Sequence, residues 1–258
     1  MKSLQDVYSD LMSGYNWKRN PICYDWSDDV VGRFLHTVEG NTRLKKVLNK
    51  MGYKASIGFA ASLLKLVAIR LDGHPELTEE FINDINNRVN SIFAAAVDPV
   101  YGHVLKYGPS TKVPSKGSIH GPCWAILTKI MLLSDEYNRK SYFVHTHLVG
   151  PSLLLEHISP DKKMFQKLFS ETVKRVTDVF PCRYEYDGSI SLKDTYDCSD
   201  EPPVPQEFFF DENFQYAPET AKQKISAFLQ SLDYKSNPYL RSPEEMLKAG
   251  FNGTPYTI

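Results

Sequence analysis

Residues 55 to 71 read ASIGFAASLLKLVAIRL, a run that is apolar on nearly every side of a helix. Lys65 and Arg70 interrupt it, and Ser56, Gly58 and Ser62 dilute it. It therefore falls short of the roughly 20 apolar residues that a membrane span requires. A helix that is apolar all round has to be covered on all sides, so the run predicts a central helix buried by neighbours. The chain can supply them. Its 258 residues, 42% hydrophobic and 24% charged, are enough for one large core.

The neighbours are also written as helices. SDDVVGRFLH opens on Ser27, an N-cap residue type, with acids in its first turn. In TRLKKVLNKMG, Leu44, Val47, Leu48 and Met51 share a face and Gly52 ends the pattern. Phe81, Ile82, Ile85, Val89, Ile92 and Phe93 recur at helical spacing, with a polar face left for solvent. The proline- and glycine-rich stretch from Asp98 to Pro122 predicts a long connection, followed by a further apolar helix to Tyr137. Ser159, Pro160 and Asp161 form a start signal for a helix reaching Phe180.

The character changes at Pro181. Asp187-Gly188 lies between short alternating segments and predicts a small β-hairpin with a primed turn, and EPPVPQ predicts extended chain. Two short helices are expected after it, in PETAKQKISAFLQSL and in SPEEMLKAG, the second started by Ser242 and Pro243 and stopped by Gly250. The expected fold is mainly α: a multi-helix domain over residues 1–180, with an acidic, aromatic-rich segment and C-terminal helices over 181–258 packed on the same domain.

Three local patterns invite a catalytic or metal reading. In SYFVHTHLVGPSLLLEHIS, His145, His147 and His157, with Glu156, are the types that ligate zinc. The spacing matches no common ligand set, because residues two apart diverge by roughly 200° on a helix. In GSIHGPCW, His120 stands three residues before Cys123 at a loop-to-helix junction, where a thiolate could be activated as a nucleophile. The competing reading makes Cys123 a small core residue beside Trp124. The third pattern is Arg139 followed, after five residues, by His145. This is similar to the motif of HEPN-type ribonucleases, where arginine stabilises phosphate charge and histidine takes part in proton transfer. Lys140 departs from the small polar residue usual there. No GxSxG, P-loop, HExxH or GxGxxG is present.

The charge distribution carries more information than the net of −1. Residues 178–219 hold eleven acids against Arg183 and Lys193, a local net of −9, while residues 1–177 carry +6. The same stretch holds Phe180, Tyr184, Tyr186, Tyr196, Phe208, Phe209, Phe210, Phe214 and Tyr216. Acids steer a basic partner and aromatics supply contact area, so Asp194, Asp197, Asp200, Glu201, Phe209, Asp211, Glu212 and Tyr216 are the expected partner-binding residues. The competing reading has the aromatics anchoring an irregular segment on the core while the acids stay solvated.

The sequence thus favours a non-enzymatic protein that sequesters a basic protein partner, in the manner of a bacterial immunity protein facing a nucleic-acid-targeting toxin. It would need no metal or other cofactor and would bind neither nucleic acid nor membrane. The N-terminal MKSLQDVYSDLMSGYNW has no continuous apolar region of the secretory kind, and four cysteines without CxxC spacing suit reduced thiols. A soluble, cytoplasmic protein is expected. The alternative is a helical hydrolase or nuclease using Arg139 with His145, or His120 with Cys123.

Overall fold

The computed structural model describes residues 22–36, 42–103, 113–185 and 188–257. It is mainly α, with ten α-helices among these residues and three isolated antiparallel bridges in place of strands. The helices are α1 (Asp28–Leu35), α2 (Thr42–Leu48), α3 (Tyr53–Leu71), α4 (Glu79–Val97), α5 (His120–Asn138), α6 (Val149–Ile158), α7 (Lys162–Val179), α8 (Glu207–Phe210), α9 (Pro218–Ser231) and α10 (Pro243–Lys248). Short 3-10 turns at Pro99–Tyr101 and Val144–Leu148 follow α4 and lead into α6.

The apolar run does form the central helix. Every residue of α3 except Lys65 is buried, and the Lys65 ammonium reaches Asn86 on the neighbouring α4 at 2.8 Å. Helices α4, α5 and α6 pack around it. Gly58 lies where α3 meets Phe209, and a Cβ there would stand 2.7 Å from that ring, so the glycine makes room for an aromatic side chain. Gly150 admits a backbone in the same way: a Cβ would stand 2.2 Å from the Phe34 carbonyl oxygen.

Several helix ends follow their sequence signals. Ser27 caps α1 and Thr78 caps α4 through their side chains, and Ser242 forms a reciprocal capping box with Glu245 at α10. Gly250, past the end of α10, is left-handed with φ of 89°. α7 starts later than its signal suggested. Asp161, not Ser159, is its N-cap and accepts from the Met164 amide at 3.0 Å, while Ser159 Oγ donates to the Asp161 carbonyl. Asp187, at the centre of the expected hairpin, lies outside the described residues, and the described residues on either side form no strand.

Apart from the short α8, the described residues from Pro181 to Tyr216 are irregular but firmly attached. They cross the N-terminal end of α3 as a strap. One hydrophobic cluster contains residues of α3, α4, α5 and α6 together with Val204, Phe208, Phe209, Phe210, Ile225 and Leu240. Among the described residues, the C-terminal helices thus share a core with α3 to α6. Among the described residues no helix is long and apolar enough to cross a membrane.

Candidate functional site

The strap is positioned by the open end of α3. A helix N-terminus leaves amides without intrahelical acceptors, and the capping position here is Gly52, which has no side chain to offer. Glu201 fills the role from far along the chain. One of its carboxylate oxygens accepts from the Tyr53 amide at 3.0 Å and from the Tyr196 hydroxyl at 2.9 Å, and the other accepts from the Lys54 amide at 2.8 Å. Lys54 Nζ donates to the Glu201 carbonyl at 3.0 Å. Negative charge at this end also complements the helix dipole.

Backbone bonds fasten the strap on either side of this clasp. The Gly52 amide donates to Phe180 and the Cys182 amide to Lys50, beside a bridge between Met51 and Pro181. Further on, the Tyr196 amide donates to Lys140, beside a bridge between Ser141 and Thr195. Tyr142, Tyr184 and Tyr196 pack on one another with centroids 4.6 to 5.4 Å apart, and Tyr196 also meets Tyr53. The rings touch, so the cluster holds the strap down and leaves no cage between them.

These contacts divide the eight expected partner-binding residues into two groups and correct two of them. Glu201 is only 6% exposed and is used up in capping α3. Phe209, also 6% exposed, lies in the core against Phe59 and Phe93. Neither can meet a partner without unfolding the region. Tyr216 is half-buried against Phe180 and Phe208, with only part of its ring available. Asp194, Asp197, Asp200 and Glu212 are exposed, and Asp211 is partly so. Hydrogen bonds from the Ser199 amide and hydroxyl side hold the Asp197 carboxyl below its ordinary range. Among the described residues none of these five acids makes an ion pair.

Four basic residues of the helical core are turned inward. Lys54, Arg70, Arg88 and Lys129 are buried. Arg70 donates to the carbonyl of Ile158, the last residue of α6, and Lys129 to that of Leu35, the last residue of α1. Both satisfy carbonyls that a helix end leaves open. Arg88 pairs with Asp84 at 2.9 Å and lies over the Tyr239 ring. Cations do approach the strap: Lys54 at the Glu201 carbonyl, Lys224 at 4.0 Å from the Glu207 carboxylate, and Arg175, whose guanidinium donates to the carbonyls of Phe208 and Asp211 and feels the charges of Asp211 and Glu212.

No protein-family model, curated protein or solved structure matches the chain. What the surface can do is therefore read from its own geometry.

That geometry corrects the catalytic candidates. Cys123 is 1% exposed, and burial pushes its thiol up to about 12, outweighing any help from the nearby helix N-terminus. His120 faces Glu76, 3.9 Å away, and packs edge-on to Phe81. A neutral, sealed thiol is no nucleophile. Arg139 lies at the surface between Asp135 and Glu136, both at 2.7 Å, whereas His145 is buried. Phosphate cannot reach both. His147 is also largely buried, while His157 bonds the Asp25 carbonyl at 2.7 Å and packs with Tyr24 and Phe34, so it fastens the segment before α1. Glu156 accepts from Gln166. Among the described residues no three histidine, cysteine or acidic side chains come together as a metal site.

The Glu201 clasp escaped sequence reasoning. Its signal was weak but present: an apolar helix preceded by glycine, with no capping side chain of its own, needs an acceptor from elsewhere.

Proposed function

We propose that the protein binds and neutralises a basic protein partner through the outer face of the strap. The observation that carries this reading is the arrangement of charge: Asp194, Asp197, Asp200 and Glu212 face solvent without ion pairs among the described residues, on a segment bolted to the core. A held surface loses little freedom when it binds. Exposed acids raise the encounter rate with a basic surface and penalise acidic competitors. Binding of this kind needs no catalytic constellation, and the buried thiol and separated Arg139 and His145 supply none.

A nucleic-acid-targeting toxin is the partner class that fits best, because its basic surface is built to meet phosphate charge, which fixed carboxylates imitate. The protein would then act as an immunity protein in the cytoplasm, where such a toxin meets its target.

The test uses the product of the neighbouring gene as the candidate partner, with rates measured by surface plasmon resonance. Reversing Asp194, Asp197, Asp200 and Glu212 to lysine should slow association about tenfold or more at low salt. The difference should shrink as added salt shortens the screening length to about 3 Å near 1 M. Rates that are the same for the reversed and native proteins, with circular dichroism unchanged, would overturn the reading. Glu201 is left native in this variant because it caps α3.

A further inference from the structure

Within the strap, residues 191 to 194 form a tight turn. The Asp194 amide donates to the Ser191 carbonyl at 3.1 Å, the Asp194 carboxylate accepts from the Ser191 amide at 2.6 Å, and the Ser191 hydroxyl accepts from the Lys193 amide at 3.2 Å. The bridge between Ser141 and Thr195 sits immediately behind it. The residue at the first corner is Leu192, and its side chain is 81% exposed, far more than any other large hydrophobic exposed among the described residues. Turn corners favour residues such as proline, aspartate, serine or glycine for stated conformational reasons, and none of these bonds uses a leucine side chain. The turn would form as well with a polar residue, which would also be better hydrated. The chain has placed an apolar side chain on a braced support, in a turn that Lys193 shares and Asp194 closes.

We propose that Leu192 is the apolar anchor of the interface, entering a pocket on the same basic protein partner that the surrounding acids attract. This rests on the function proposed above and adds a separable element to it. Interfaces draw most of their affinity from a few side chains that become fully desolvated, while charges around them act on the approach. Leu192 would govern how long the complex lasts, and Asp194, Asp197 and Asp200 how fast it forms. Because the side chain touches so little of its own protein, replacing it leaves the fold intact, and loss of binding can be assigned to the interface.

The experiment places p-benzoylphenylalanine at position 192, and in a control at Lys222, which is exposed on α9. Both full-length proteins are irradiated in cells carrying the native gene neighbourhood. The expected result is one adduct to a basic polypeptide from position 192, none from position 222, and a weaker adduct when Asp194, Asp197 and Asp200 are changed to asparagine. With that polypeptide purified, Leu192→Ala should raise the dissociation rate at least tenfold and leave the association rate and the unfolding midpoint unchanged. An adduct that forms equally from both positions, or no adduct at all, overturns the anchor. If lysine reversal of the acids slows association while Leu192→Ala leaves dissociation unchanged, the anchor is overturned and the acidic surface stands. If neither set of changes alters the rates, both fall.

Discussion

His145 and His147 are two residues apart on a 3-10 turn between α5 and α6, and both are held far below the usual histidine range. Burial is the main cause for each, bringing His145 down to about 3 and His147 to about 4; Lys45 adds to the effect at His145 and Lys129 at His147. Both rings are therefore neutral in the folded protein at pH 7. In the unfolded chain they take up protons near pH 6.5. The unfolded state binds more protons wherever the pH lies between these values, so the stability they contribute is complete above about 6.5 and is lost as pH falls towards 4. Each histidine should cost up to about 1.4 kcal/mol per pH unit across that window. Urea unfolding between pH 7 and 5 measures it before most carboxylates titrate. His147→Gln should flatten the dependence, and a profile superimposable on that of the native protein would show that His147 is not buried neutral.

At the level of elements, the strap and α3 complete each other. α3 provides amides that need an acceptor, and the strap provides Glu201, whose largely buried carboxylate accepts from the Tyr53 and Lys54 amides and the Tyr196 hydroxyl. Glu201→Ala leaves two helix amides and the Tyr196 hydroxyl without this acceptor, at a cost of about 1 to 3 kcal/mol for each buried group left unsatisfied. The expected outcome is local release. Cys198, buried on the strap, and half-buried Cys182 should react with a thiol reagent much faster than in the native protein, while Cys123, buried within α5, stays protected and far-ultraviolet circular dichroism keeps its helical signal. Unchanged thiol reactivity would mean that the backbone bonds alone hold the strap. This division also explains what could be read from the chain beforehand. α3, α4 and α10 were legible because apolar period and caps are local properties. Glu201 was not, because in sequence it is one acid among eleven and its acceptor role depends on amides 147 and 148 residues away. Phe209 was misplaced for a similar reason: three consecutive phenylalanines carry no period that says which ring faces inward. The exposure of Asp194, Asp197, Asp200 and Glu212 follows from a composition in which acids far outnumber Arg183 and Lys193.

Across the whole molecule, positive and negative charge are put to different uses. Residues 1–177 carry the +6, yet Lys54, Arg70, Arg88 and Lys129 are turned inward, with Arg70 and Lys129 satisfying the carbonyls that end α6 and α1. Among the described residues the strap keeps its acids outside, apart from Glu201, the partly exposed Asp211 and the half-buried Glu207, whose carboxyl burial raises against the opposing pull of Lys224. The near-neutral total thus conceals Asp178, Glu185, Asp194, Asp197, Asp200, Glu212 and Glu219 exposed along a single stretch of sequence, and those that lie within a screening length of one another repel. Such repulsion weakens the compact state and is relieved by salt, since the screening length falls from about 30 Å at 0.01 M to about 10 Å at 0.1 M. A relief of about 0.5 kcal/mol corresponds to a rise in Tm of roughly 1 to 2 °C for a domain of this size. Thermal unfolding in sodium chloride over that range should show such a rise, and changing Asp194, Asp197 and Asp200 to asparagine should raise the low-salt Tm and remove most of the salt response. A native Tm that falls with salt would mean that attractive pairs outweigh repulsion at the surface. The strap's acids would then be neutralised by the protein's own cations, and the charge left to attract a partner would be correspondingly smaller.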